Sequence, residues 1–108
     1  MKNDLPQPPY YAVIFGSQLS GIEPDKYAQM ANHMEALAQQ QPGYLGIESA
    51  KNEVGFGITI SYWKDLESIK AWREQAEHLE AQRLGKECWY ASYELKVARV
   101  EGIKAFGE

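Results

Sequence analysis

The chain has 108 residues and a formal net charge of −4, from 11 basic and 15 acidic side chains. That length holds one domain of the usual ~100–200 residues, and basic residues scattered along an acidic chain exclude the concentrated positive patch that nucleic acid needs. One cysteine permits no internal disulfide, and no apolar run approaches the roughly 20 residues of a membrane helix.

No charged segment followed by an apolar run and a cleavage site opens the chain, so the expectation is a cytoplasmic protein without membrane contact. The 44 % hydrophobic content is generous for a domain that buries only roughly 60–70 % of its unfolded surface, which points to self-association.

In chain order, residues 1–9 carry Pro6, Pro8 and Pro9, whose fixed dihedrals and missing donors make this an extended arm. Tyr10-Tyr11-Ala12-Val13-Ile14-Phe15 is apolar at both alternating positions, the pattern of a central strand covered on each side, and Gly16-Ser17-Gln18 forms its polar end. Pro24 suits the first turn of a helix, and Tyr27, Met30, Ala31, Met34, Leu37 and Ala38 then recur on one helical face. His33 falls on the opposite face with Lys26, Gln29 and Gln40, where solvated polar side chains are the rule.

Pro42-Gly43 stops that helix. The runs Tyr44 to Lys51 and Val54 to Trp63 follow as a hairpin turning at Asn52-Glu53. In the second run Phe56, Ile58, Ile60 and Tyr62 share an apolar face, while Gly57, Thr59, Ser61 and Trp63 share one that is mostly small, with room for a helix or a ligand. Asp65 is a good N-cap for a second helix, which meets no proline or glycine until Gly85, a span of about nineteen residues.

From Cys88 to Val100 the alternation is strand-like again, with Trp89, Ala91, Tyr93, Leu95 and Val97 on one face and Cys88, Tyr90, Ser92, Glu94, Lys96 and Ala98 on the other. About thirteen residues is more than twice the usual strand, so part of this strand is expected to overrun its sheet and pair with a second subunit.

The order β-α-β-β-α-β is the ferredoxin-like arrangement, an α+β fold whose antiparallel sheet carries both helices on one face. Since the first strand is apolar on both sides, the other sheet face needs a cover. A two-fold homodimer with a barrel-like centre and helices outside supplies it. The division expected is an arm over residues 1–9, the domain over 10–101 and a tail over 102–108.

Over Tyr10 to Glu101 the chain resembles the antibiotic biosynthesis monooxygenase family of dimeric α+β barrel proteins, including small members described as haem-degrading monooxygenase-like. The resemblance is carried by YYAVIF, QQPGYLGIES, GFGITISYWKDLESIKAWR and EHLEAQRLGKECWYASYELKVARVE in that order. It implies either a cofactor-independent oxygenase of a flat aromatic or phenolic molecule, or haem binding and degradation. A non-catalytic small-molecule-binding module is a third alternative. The haem-degrading branch uses a pocket asparagine on the first strand with a tryptophan and a distant histidine. Here Ser17 and Gln18 stand at that strand and Trp72 and His78 lie close in sequence, a departure from the triad.

His78 and Trp72 are the candidate catalytic residues. A neutral imidazole takes a proton near neutral pH or binds iron, and a flat indole stacks on a planar substrate. The alternatives are a surface histidine held as a cation beside Glu74 and Glu77, and an indole spent on core packing. On a straight helix His78 sits about 120° from Trp72, so only a bend would aim both at one cavity. Trp63, Tyr62, Trp89 and Tyr93 read as core or interface anchors, and Cys88 as a buried inert thiol despite the nearby Lys86.

Two histidines cannot make a conventional metal site, and Gly55-Phe56-Gly57 lacks the further glycine of a dinucleotide loop. No metal or nucleotide cofactor is expected, with haem as the alternative cofactor. The expected partners are a second copy of the chain and a small aromatic molecule.

Overall fold

The sheet is organised around its first strand, β1 (Tyr10–Leu19), in a computed structural model that describes residues 6–77 and 89–107, with 76 and 77 described in backbone only. The remaining elements are α1 (Pro24–Gln39), β2 (Tyr44–Lys51), β3 (Phe56–Trp63), α2 (Leu66–Glu77) and β4 (Tyr90–Val100). The four strands are antiparallel in the order β2-β3-β1-β4, so the strand with two apolar faces is interior, between β3 and β4. This is the ferredoxin-like α+β fold.

Alternation along β1 assigns the two faces. Val13, Ala38 of α1, Trp63 of β3 and Ile69 of α2 form one buried cluster, with Tyr11, Tyr44 and Trp72 packed against it, so both helices lie on the face of the odd-numbered β1 residues. Trp63 is fully enclosed. Tyr44 meets its ring edge-on at 5.7 Å, Trp72 stacks on it at 6.1 Å, and its indole N–H donates to Ser61 Oγ at 2.9 Å, so its one polar atom is satisfied.

α1 starts at Pro24, as the ring's preset dihedral favours. Its N-cap, Glu23, has left-handed backbone and caps nothing with its side chain, which instead holds Lys26 at 2.9 Å. Tyr27, Met30, Met34, Leu37 and Ala38 turn inward to differing degrees, whereas Ala31 is exposed. His33 is exposed on the solvent side. α2 is capped as the sequence suggests: Asp65 Oδ1 accepts from the backbone N–H of Ser68 at 2.8 Å and from its hydroxyl at 2.7 Å. Those Ser68 bonds, the side-chain one foremost, hold the Asp65 carboxyl below its ordinary value.

Gly43 is required beside that cap. Its φ is +85°, a Cβ there would run into the Ser68 hydroxyl, and its carbonyl accepts from Lys64 at 2.8 Å.

Three expectations change. β3 begins at Phe56 and not Val54, because the Asn52 carboxamide accepts from both Val54 and Phe56 N–H groups at 3.0 Å and bends that stretch into the hairpin turn. β4 does not overrun its sheet: it pairs with β1 from Leu19–Tyr90 to Tyr10–Val100, and the long strand is matched by a long partner. The strict alternation on β4 also fails at its start, since the pairing steps from Gln18–Ser92 to Leu19–Tyr90 and leaves Ala91 as an extra residue. That bulge turns Tyr90 to the same face as Tyr93. The expected extension of the second helix towards Gly85, and Cys88, lie outside the described residues.

Replacing Trp63 with Ala is expected to destabilise the domain by about 3–5 kcal/mol, the range for emptying a large aromatic site. Chemical denaturation of the variant checks this, with the midpoint falling while the denaturant slope stays unchanged.

Candidate functional site

On the helix side of the sheet the register builds three rows across the strands. Ser61, Val13 and Val97 stand in one, Thr59, Phe15 and Leu95 in the next, and Gly57, Ser17 and Tyr93 in the third. The β3 column is thus small and polar, and the β4 column apolar. Tyr93, Leu95 and Val97 remain 44 %, 38 % and 41 % exposed, so the apolar column is an open floor and not a sealed core.

At one end of this floor an aromatic cluster has formed. Phe15 lies 5.4 Å from Tyr90 and 5.5 Å from Tyr93, and Tyr27 of α1 meets Trp89 and Tyr90 edge-on at 5.8 Å. Trp89 is buried and its carbonyl accepts from Ser20 N–H at 2.7 Å, tying the entry of β4 to the end of β1. Burial, and then the hydrogen-bonded Tyr27 phenol, push the Tyr90 phenol far above its ordinary value, so it stays a neutral donor. The β4 bulge makes this cluster possible, and strict two-residue alternation conceals it. Tyr27 at the start of the first helix face was the one visible signal.

Ser17, 7 % exposed, is the buried polar side chain among the described residues and lies in this third row. Gln18 points to the opposite face, where its Nε2 donates to the Val54 carbonyl at 2.7 Å, so its amide serves the hairpin and not the cleft.

Trp72 is half-buried and packs against the core cluster, its ring stacked on Trp63 with the two planes only 23° apart. Its packing role is therefore present, and one helix turn away α2 borders the open floor. His78 lies outside the described residues. Among the described residues the helix-side cleft offers phenols, indoles and hydroxyls, and no three His, Cys, Asp or Glu side chains converge. His78, the sequence's candidate ligand for haem iron, is not among those residues.

The groove between α2 and β4, of about 360 Å³, is lined by Leu66, Ile69, Lys70, Arg73, Glu74 and Val97. A second recess of about 400 Å³ lies largely on the face without helices, among Ile14, Gly16, Phe56, Ile58, Ser92, Glu94 and Lys96, and is also lined by Ser17 and Tyr93. On that same face the Tyr62 hydroxyl donates to Glu48 Oε2 at 2.6 Å, and Tyr10 meets the Tyr62 ring edge-on at 5.7 Å. Burial, followed by the Glu48 carboxylate, pushes the Tyr62 phenol up to about 12.

Fold and cleft define a small ferredoxin-like domain with an open aromatic surface between sheet and helices. The model of the family described as antibiotic biosynthesis monooxygenase matches residues 22–84, and the chain belongs to that family. It is 45 % identical over 103 residues to the uncharacterized protein YqjZ of Bacillus subtilis, covering 95 % of this chain and 90 % of that protein. To the jasmonate monooxygenase ABM of Pyricularia oryzae it is 27 % identical over 92 residues, covering 83 % of this chain and 43 % of that protein.

Among solved structures, SnoaB, a cofactor-independent oxygenase from Streptomyces nogalater, superimposes with a TM-score of 0.71 at 12 % identity, over 94 % of this chain and 100 % of that one. A putative antibiotic biosynthesis monooxygenase from Nitrosomonas europaea gives 0.71 at 14 % identity, over 91 % and 94 %. At these identities the structural likeness concerns the fold. No described helix is long and apolar enough to cross a membrane.

Because its folded value is raised, Tyr62 contributes stability that is complete below pH 10 and lost as the pH rises towards 12, as the unfolded phenol ionises first. Equilibrium denaturation between pH 9 and pH 12 is expected to show falling stability with a shallower slope in Tyr62→Phe.

Proposed function

We propose that this chain is a monooxygenase of the antibiotic biosynthesis type that oxidises a flat aromatic or phenolic small molecule, without a metal or nucleotide cofactor. The observation that carries this reading is the open apolar floor Tyr93-Leu95-Val97 running into the Phe15, Tyr27, Tyr90 and Tyr93 cluster, a surface suited to a planar ring. Membership of the family supports the reaction class. SnoaB, of the same fold, is an oxygenase that needs no cofactor.

In the proposed reaction His78 removes the phenolic proton, which leaves an electron-rich anion able to pass an electron to dioxygen directly. Recombination of the two radicals at a ring carbon forms a carbon–oxygen bond, and loss of water from the resulting hydroperoxide leaves a quinone. One oxygen atom stays in the product and the other leaves as water, so the substrate supplies all the electrons. Trp72, held in place by Trp63, would wall the cleft and keep water from the intermediate. Tyr90, neutral at any ordinary pH, is a donor at the aromatic end of the same surface.

The proposed assembly is a two-fold dimer joined through the face without helices. Phe56 and Ile58 are 45 % and 40 % exposed there. Across the strands Glu48, Ile60, Ile14 and Lys96 form one row, with an acid at one rim and a base at the other. A two-fold axis parallel to the strands would set Glu48 of one copy over Lys96 of the second and bury the apolar residues between them.

Two measurements test these proposals. With chelator-treated protein and a naphthol or hydroquinone, an oxygen electrode should record one dioxygen consumed per quinone formed, and His78→Ala should lower kcat/KM by about 100- to 10,000-fold. Turnover unchanged in that variant would remove His78 from the mechanism. Sedimentation should show a dimer that Ile58→Arg converts to a folded monomer, and a monomeric parent protein would refute the assembly.

A further inference from the structure

We propose, resting on the monooxygenase reading above, that the groove between α2 and β4 receives the carboxylate of an aromatic acid, with Lys70 and Arg73 as the side chains that hold it. The groove volume of about 360 Å³ falls within the roughly 300–1,000 Å³ of small-molecule sites. Leu66, Ile69, Lys70, Arg73 and Glu74 follow the three- and four-residue steps of one helix face, so α2 presents the buried Ile69 and the exposed Leu66, Lys70, Arg73 and Glu74 to the groove.

Neither Lys70 nor Arg73 has an ion-pair partner among the described residues. By contrast Lys26, Lys96 and Arg99 each sit beside a carboxylate of their own element or its end. Among the described lining residues Lys70, Arg73 and Glu74 sum to a single net positive charge, on a chain of net charge −4. One net charge matches a monoanion. A phosphate dianion would meet Glu74 without enough compensation, so a carboxylate is the occupant of choice.

The groove also opens onto the aromatic surface. From Val97, which lines it, the exposed residues Leu95 and Tyr93 lead along β4 to the Phe15 and Tyr90 rings. Two residues of strand, from Val97 to Leu95, span about 7 Å, the reach of a two-ring acid whose reacting ring lies on Leu95 beside Phe15 while its carboxylate reaches α2. The cations then choose the substrate and fix its direction on the floor, and the aromatic end carries the reacting carbon.

Isothermal titration of the full chain with a hydroxynaphthoate and with its uncharged carboxamide tests this directly, at low and high salt. The carboxylate is expected to bind about fivefold more tightly than the carboxamide, the scale of two exposed charge contacts, and to lose that preference in high salt. Lys70→Gln with Arg73→Gln should abolish the preference while leaving carboxamide affinity and Tm unchanged, and Glu74→Gln should enlarge it. Equal affinities in the parent protein, absence of binding by either probe, or a preference that survives the double substitution would each overturn the subsite. The preference with no oxygen consumption would leave the subsite standing and sink the monooxygenase reading. Oxygen consumption without the preference would do the reverse.

Discussion

Trp63, fully enclosed at the end of β3, is met edge-on by Tyr44 of β2 and face-on by Trp72 of α2, and it pairs across the sheet with Tyr11 of β1. One indole thereby joins three strands and a helix. The constraint reaches further, because the chain leaves Trp63 through Lys64 and Asp65 directly into the α2 cap. Gly43 sits against Ser68 of that cap with no room for a side chain, so the end of the first helix connection, the end of the hairpin and the start of α2 are locked at one corner. The direction in which α2 crosses the sheet, and with it the groove over β4, depends on that corner.

Away from the corner the helix layer thins among the described residues. Tyr93, Leu95 and Val97 sit on the same face as Trp63 yet stay substantially exposed. The β3 column beside β1, Gly57, Thr59 and Ser61, adds little bulk. The domain therefore has a firm end, where aromatic rings are spent on stability, and an open end, where similar rings line a surface a planar molecule can occupy. Covering the opposite face with a second copy would leave the open end accessible, since the two faces of one sheet are used independently.

Much of this was legible along the chain. The two apolar faces of Tyr10 to Phe15 marked the central strand. The small residues alternating with Phe56, Ile58 and Ile60 separated the two faces of β3, and Pro24 and Asp65 marked the starts of both helices. These signals are local: they follow from the two-residue period of a strand and from backbone groups that a cap or a proline satisfies. The site was less legible. Tyr90 looked like a residue of the opposite face, because an inserted residue opposite Gln18 and Leu19 breaks the alternation without any glycine or proline to announce it. Asn52 likewise shortened β3 through hydrogen bonds that composition alone does not reveal.

The sequence by itself determined the number and order of the elements, the identity of the central strand and the acidic character of the chain, since each follows from periodicity, capping chemistry or charge count. Tertiary structure alone decided which aromatic residues became core and which became surface. Trp63 and Trp72 are stacked into the first role, while Tyr93, with Leu95 and Val97 beside it, stays substantially exposed. Lys70 and Arg73, unremarkable in sequence, face Val97 only because α2 runs back across the sheet to β4. The physical reason is that periodicity tells a side chain which face to take, whereas only packing determines how fully that face is covered.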